Sequence, residues 1–283
     1  MTTDPLDTVV EKIRQADALL IGAGAGMGVD SGLPDFRGKE GFWKAYPAFA
    51  DLGVDFVEMA NPAVFQRDPT LAWGFYGHRL KLYRETQPHR GFDVLRSWGE
   101  NLAHGAFVFT SNIDGHFQRA GFESEQVVEC HGSINHLQCT KPCSDDVWSA
   151  DDISIDVDMT RVRAVGEMPS CPKCGSLARP NVLMFGDWNW ISDRSGSQER
   201  RLVDWLQQPS MRSLVVIELG AGKAVPTVRA TCEGIVRSRG GALVRIKPRD
   251  SDVPPGHFSF PSGARTVLEA LNERLSQGGY HDG

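Results

Sequence analysis

The sequence predicts an α/β fold: a doubly wound, parallel, Rossmann-like sheet with a smaller inserted domain. Three observations lead there. Short apolar runs recur along the 283 residues, continuous rather than alternating, as in strands covered on both faces. Helical patterns fall between several of these runs. A glycine-rich turn, Gly22 to Gly28, directly follows the first run.

The first element is a helix after Asp4-Pro5, where Leu6, Val9, Val10 and Ile13 recur at helical spacing. Ala18-Leu19-Leu20-Ile21 is the first strand. Further strands are predicted at Ala106-Phe107-Val108-Phe109, Val127-Val128, Val182-Leu183-Met184-Phe185, Leu214-Val215-Val216-Ile217 and Leu243-Val244-Arg245-Ile246. A long helix spans Pro69 to Glu85, and a C-terminal one presents Val267, Leu268, Leu271 and Leu275 on one face. Two stretches interrupt the alternation: 38–88, aromatic and helical, and 133–180, rich in Cys, Asp, Pro and Ser. The expected division is a discontinuous larger domain with the Rossmann-like sheet, 1–37 plus 89–132 plus 181–283, and a small domain made of a helical module, 38–88, and a cysteine-bearing module, 133–180. No internal repeat is evident.

Composition narrows the function. Thirty Lys and Arg against 36 Asp and Glu give a formal charge of −6, which argues against a surface built for phosphate backbones or anionic lipid. Direct nucleic-acid binding is not expected. No apolar run approaches the roughly 18 residues of a membrane span, and Met1-Thr2-Thr3-Asp4-Pro5 lacks a basic segment followed by an apolar core, so a cytoplasmic location is expected. Four of the six cysteines form two close pairs, Cys139-x3-Cys143 and Cys171-x2-Cys174. Two knuckle-like pairs supply four thiolates, as tetrahedral zinc needs, and four protein ligands leave no open position for water, so the metal is read as structural. Cys130 and Cys232 fall outside the set and read as small buried hydrophobes.

Three further features carry chemistry. The turn Gly22-Ala23-Gly24-Ala25-Gly26-Met27-Gly28 suits a pyrophosphate, because glycine lets backbone N–H groups approach closely, although turns of this kind also occur without a ligand. His131 follows a strand end, where a loop residue can face a cleft and act as a general base near neutral pH; a hydrogen-bonded structural histidine fits as well. Tyr76-x-x-Arg79 puts a phenol and a guanidinium one helical turn apart, a pair suited to a terminal carboxylate, or else a packed Tyr beside a solvated Arg.

From Asp30-Ser31-Gly32-Leu33-Pro34-Asp35-Phe36-Arg37 onward the chain resembles the sirtuin family. Gly24-Ala25-Gly26 through Arg37 resembles its first signature, Thr110-Ser111-Asn112-Ile113-Asp114-Gly115 its second, and Val128-Glu129-Cys130-His131-Gly132-Ser133 its catalytic segment. The four cysteines resemble its zinc ribbon, and Arg179-Pro180-Asn181-Val182-Leu183-Met184-Phe185-Gly186-Asp187 its substrate strand. These matches occur in family order over residues 18 to 268.

The resemblance implies an NAD-dependent protein-lysine deacylase that yields nicotinamide, O-acyl-ADP-ribose and the free lysine. An acyl oxygen attacks the nicotinamide ribose, and His131 then takes a proton from the ribose hydroxyl system. It further implies Asn112 as a catalytic residue. Cofactor contacts fall to Gly24, Ala25, Gly26, Asp35, Phe36, Arg37, Ser111, Asn112, Ile113, Asp114, Gly220, Ala221, Gly222 and Lys247. Val182, Phe185 and Gly186 are implied as the acylated-lysine peptide site, with the oligomeric state left open. Family members that remove succinyl, malonyl or glutaryl groups carry the Tyr-x-x-Arg pair, and Gly41-Phe42-Trp43-Lys44 resembles their bacterial representatives.

Four features depart from the family pattern. Gly28 replaces a Ser, Ser111 a Gln, and Gly220-Ala221-Gly222-Lys223 a Gly-Thr-Ser-Leu; Lys247 replaces an Asn beside the adenine ribose. The lost hydrogen bonds keep two alternatives open, NAD hydrolysis or protein mono-ADP-ribosylation, and a non-catalytic dinucleotide sensor. Lys247 either points to solvent or pairs with a 2′-phosphate, so NADP enters as a second dinucleotide to consider.

Overall fold

The computed structural model describes residues 4–34, 39–51 and 53–277. In chain order the strands are β1 (Ala18–Ala23), β2 (Ala106–Thr110), β3 (Val127–Glu129), β4 (Gly132–Cys139), β5 (Val147–Ser149), β6 (Asp156–Asp158), β7 (Arg163–Val165), β8 (Ala178–Val182), β9 (Leu214–Leu219), β10 (Ala242–Ile246) and β11 (Phe258–Phe260). The main sheet is six-stranded and parallel, in the order β11-β10-β9-β1-β2-β3. The chain lays strands outward on one side of β1, then returns to lay the rest on the other. Strand order therefore reverses between β1 and β9, the position where such sheets open a crevice at their carboxyl ends.

Continuous hydrophobicity is explained by the two faces of this sheet. Leu19, Ile21 and Ala23 of β1 pack with Val9, Val10 and Ile13 of the Pro5–Arg14 helix, and with the Arg90–Glu100 and Ala264–Gln277 helices. Ala18 and Leu20 of the same strand face the Asp193–Leu206 and Thr227–Arg239 helices, through Leu202, Trp205, Val228 and Cys232. Each fully buried Leu or Ile contributes roughly 1.5–3 kcal/mol, so a strand apolar on both faces belongs in the middle of a covered sheet. No described helix is long and apolar enough to cross a membrane.

A third core joins the two interrupting stretches. Phe42, Tyr46, Phe49, Trp73, Phe75 and Tyr76 pack with Ile134, Leu137, Ala178 and Val182 of the three-stranded sheet β5-β4-β8. The Pro69–Glu85 helix enters this core behind a Pro at its first turn and an Asp68 cap that accepts from Leu71 N at 3.1 Å. Trp73 Nε1 donates to Ala178 O at 2.9 Å, which ties the helix to β8. Asp68 also forms a two-point pair with Arg163 of β7, both contacts at 2.7 Å.

One strand expectation needs correction, and β4 to β7 and β11 are strands that the apolar runs did not mark. The apolar run at Val182–Phe185 is strand only as far as Val182, and β8 pairs antiparallel with β4 in the small sheet. β11 was not expected, because Phe258-Ser259-Phe260 is a three-residue edge strand with too little pattern to read.

Candidate active site

The carboxyl ends of β1, β2 and β3 converge on a cavity of about 460 Å³. Where the ladders stop, side chains take over the backbone groups. Thr110 Oγ1 donates to Ala23 O at 3.0 Å and accepts from Asn112 N at 3.0 Å, so one hydroxyl ties β1 to the segment leaving β2. Asn112 Nδ2 donates to Gly24 O, again at 3.0 Å. Ser111, Asn112, Ile113 and Asp114 are thereby laid across the glycine turn and line the cavity with Ala25. Asp114 Oδ1 accepts from His116 N at 2.9 Å, so this carboxylate shapes its own turn while facing the cavity.

The end of β3 is fixed from behind. Buried Glu129 is ion-paired to Arg194, its N–H donates to Gln198 Oε1 at 3.0 Å, and its carbonyl accepts from Ser195 Oγ at 2.8 Å. Two residues on, the His131 carbonyl accepts from Leu183 N at 2.9 Å, and the half-buried His131 lines the cavity. Gly132 follows at φ 74°, and a Cβ there would stand 2.0 Å from Asn181 O. Only glycine lets β8 run so close behind His131.

Val182, Leu183, Met184, Phe185, Gly186 and Asp187 form the facing rim. Asp187 and Arg179, both essentially inaccessible, share two contacts at 2.7 and 2.9 Å. Asp187 also accepts from Asn189 N at 3.2 Å, so a single buried carboxylate turns the chain out of β8. Phe185 N donates to Ala60 O at 2.8 Å. Leu183 and Phe185 are then left partly exposed, and Trp188 fully so.

The other wall belongs to the Pro69–Glu85 helix. Tyr76, Arg79 and Tyr83 are buried and line the same cavity as His131. Arg79 Nε donates to Tyr83 Oη at 3.0 Å, and its guanidinium lies 5.2–5.8 Å from the ring centres of Phe56, Phe75, Tyr76 and Tyr83. Arg79 does not face solvent. Tyr76 Oη is buried without a hydrogen-bond partner. Burial pushes the Tyr76 phenol up to about 12, with Arg79 acting against the rise, so it remains a neutral donor.

Among the predicted site residues, the cavity gathers Ala25, Tyr76, Arg79, Ser111, Asn112, Ile113, Asp114, His131, Val182, Phe185 and Gly186. Gly24, Gly26, Gly220, Ala221, Gly222 and Lys247 lie outside its lining. Gly24 and Gly26 are glycine because the neighbouring loop is close: a Cβ on either would fall 2.8 Å from Ala221 Cα or 2.7 Å from Gly220 Cα. That packing sets the turn after β1 against the loop after β9, across the reversal of strand order. Asp35, Phe36 and Arg37 lie outside the described residues. Tyr83 and Asp187 were not singled out from sequence. The spacing Arg79-x-x-x-Tyr83 is a readable helical signal, whereas nothing in sequence links Asp187 to Arg179.

Away from the cavity, the Sγ atoms of Cys139, Cys143, Cys171 and Cys174 all lie within 4.8 Å of one another. Cys139 and Cys174 are 3.7 Å apart, and Cys143 and Cys171 3.6 Å. Tetrahedral zinc with Zn–S near 2.3 Å requires sulfurs about 3.8 Å apart, so the four thiols fit a structural zinc.

A family model described as the Sir2 family matches residues 24–195. The NAD-dependent protein deacylase of Pyrococcus furiosus is 32% identical over 268 residues, covering 94% of this chain and 96% of that one. The NAD-dependent protein deacylase 1 of Archaeoglobus fulgidus is 29% identical over 266 residues, with the same coverage. A solved Sir2 homolog–NAD complex superposes with a TM-score of 0.72 at 25% identity, covering 98% of this chain and 95% of that one.

Proposed function

The chain belongs to the Sir2 family, and from that premise we propose that its preferred substrates are lysines whose acyl group ends in a carboxylate, such as succinyl or malonyl. It is an NAD-dependent protein deacylase with a structural zinc site. One observation supports the acidic acyl group: buried Arg79 and Tyr76 share a cavity with His131, and Tyr76 Oη has no partner. Phe56, Ala60, Ile113, Val182 and Met184 suit the methylenes of an acyl-lysine. A carboxylate entering such apolar surroundings needs charge-assisted donors, which a guanidinium and a neutral phenol supply.

NAD, when bound, supplies the electrophilic ribose carbon and a leaving nicotinamide. Toward it we assign Asn112 and Asp114 as polar contacts fixed by the glycine turn and by the His116 amide. Ser111, Ile113 and Ala25 complete that side, while Gly24, Gly26, Gly220 and Ala221 shape the paired loops. His131 is assigned as the proton acceptor, on a carbonyl anchored to Leu183. Val182, Phe185 and Gly186 are assigned to the substrate peptide.

The test is a set of acetyl-, succinyl- and malonyl-lysine peptides incubated with NAD, with nicotinamide and deacylated peptide both quantified. Higher kcat/KM on the acidic acyl groups is expected, with nicotinamide release dependent on peptide. Equal or better turnover of acetyl-lysine contradicts the acyl preference. Nicotinamide release at the same rate without peptide would point to NAD hydrolysis or ADP-ribosyl transfer.

A further inference from the structure

Lys247, a cofactor contact by the family resemblance, lies outside the cavity lining, yet its placement is specific. Its N–H donates to Phe260 O at 3.1 Å, which fixes the residue at the carboxyl end of β10. The side chain is only 19% exposed, so its stem is covered. The head turns toward the loop after β9: a Cβ built on Gly222 would stand 3.8 Å from Lys247 Nζ, and among the described residues beyond its chain neighbours no other atom comes within 4 Å of that Cβ. The ammonium thus lies beside a position that carries no side chain, at the ends of two neighbouring strands.

Nearby charge leaves it weakly answered. Its carboxylate neighbour is Asp250 at 3.6 Å, longer than a hydrogen bond and half exposed. Asp252 is engaged by Lys223 and Arg229, each at 2.8 Å. Glu218 and Glu233 are engaged by Arg245. Exposed Arg249 adds another cation two residues beyond Lys247. The cations here outnumber the carboxylates, on a chain whose net charge is −6.

In an open parallel sheet a dinucleotide lies across the carboxyl ends of the strands, where strand order reverses. Here that point is between β1 and β9, at the glycine turn. His131 and Asn112 occupy the β2–β3 side, so the other nucleotide falls over β9 and β10. An acidic side chain at such a strand end selects a free ribose 2′-hydroxyl, whereas a cation accommodates a 2′-phosphate. We propose that Lys247, facing the space opened by Gly222, receives a 2′-phosphate, and that this enzyme accepts NADP as well as NAD. The inference rests on the dinucleotide reading of the site, and a phosphate there displaces the long Asp250 contact rather than a formed hydrogen bond.

Calorimetric titration of NAD and NADP into the wild-type protein, Lys247→Gln and Lys247→Ala tests it. For the wild type, NADP is expected to bind within about tenfold of NAD. Lys247→Gln, which keeps a polar head and most of the stem, should weaken NADP by about tenfold and NAD by less than about threefold, since one charge-assisted contact is lost. Lys247→Ala should repeat that difference. Added salt should weaken NADP more steeply than NAD in the wild type. The proposal is overturned if NADP fails to bind where NAD does, or if both substitutions weaken the two dinucleotides equally. Binding of neither overturns the dinucleotide reading along with it.

Discussion

The two walls of the cavity are built by different means. The strand-end wall is tied by hydrogen bonds onto backbone atoms: the Asn112 side chain on Gly24 O, the Asn112 amide on the Thr110 hydroxyl, and the His131 carbonyl on Leu183 N. On the helix wall Tyr76, Arg79 and Tyr83 are positioned by the guanidinium lying over aromatic rings, by edge-to-face ring packing and by one another. The groups assigned to bond-making, Asn112 and His131, are thus tied to backbone atoms at the strand ends, away from the helix wall. The groups proposed to choose among acyl chains sit on a helix whose side chains can change while the backbone stays put. Chemistry and selectivity are thereby separable, and each perturbation below should fall mainly on one wall.

The largest effect should come from the metal. Cys139 ends β4 opposite Ala178 of β8, so the zinc site closes the sheet whose far end, Val182, begins the cavity rim. Structural zinc contributes on the order of 10 kcal/mol of folding free energy to modules of this kind. Chelation, or Cys174→Ser, should therefore strip hydrogen-exchange protection from 132–182 while the β9-β1-β2 ladder stays protected. Unaltered melting and exchange in metal-free protein would show that the sheet holds itself.

Next is His131→Ala, which removes the assigned base and leaves the backbone wall in place. Deacylation should fall by about a thousandfold, within the usual range for a general base, with NAD binding retained within about threefold. Turnover near wild type would remove His131 from the chemistry. Parallel loss of NAD binding would make its role structural.

The smallest effect concerns how the helix wall is attached. The Arg163 guanidinium, with the Leu71 amide and Thr70 assisting, pulls the Asp68 carboxyl from 3.8 down to about 2. A depressed folded value stabilises above the unfolded one, near pH 4, and that contribution fades as pH falls through about 2. Both partners are about a third exposed or more, so the pair is worth under about 1 kcal/mol. Asp68→Asn keeps a capping oxygen but loses the charge. It should be less stable than wild type by that amount at pH 7 and approach it as pH falls below about 2. A difference constant across that range would assign the loss to the cap rather than the ion pair.

Legibility from sequence differed between these regions for physical reasons. Strands buried on both faces announce themselves as continuous apolar runs, so β1, β2, β3, β9 and β10 of the main sheet were readable, from Ala18 to Ile246. The same rule misread Leu183 and Phe185, whose hydrophobicity serves a cavity rim instead of a sheet. Local spacing exposed the four thiols and the Tyr76–Arg79 pair. Contacts made through the turn after β8, such as Arg179 with Asp187, leave no trace in local pattern. The direction of the Lys247 head was equally hidden, because it depends on a bare Gly222 from another strand end.

The most direct measurement crosses Arg79→Met with two peptides, succinyl-lysine and acetyl-lysine, and compares kcat/KM. Loss of one desolvated charge-assisted contact predicts a fall of about 10- to 100-fold on succinyl-lysine and less than about threefold on acetyl-lysine. Equal losses on both peptides, or none on either, would contradict a helix wall that selects the acyl group.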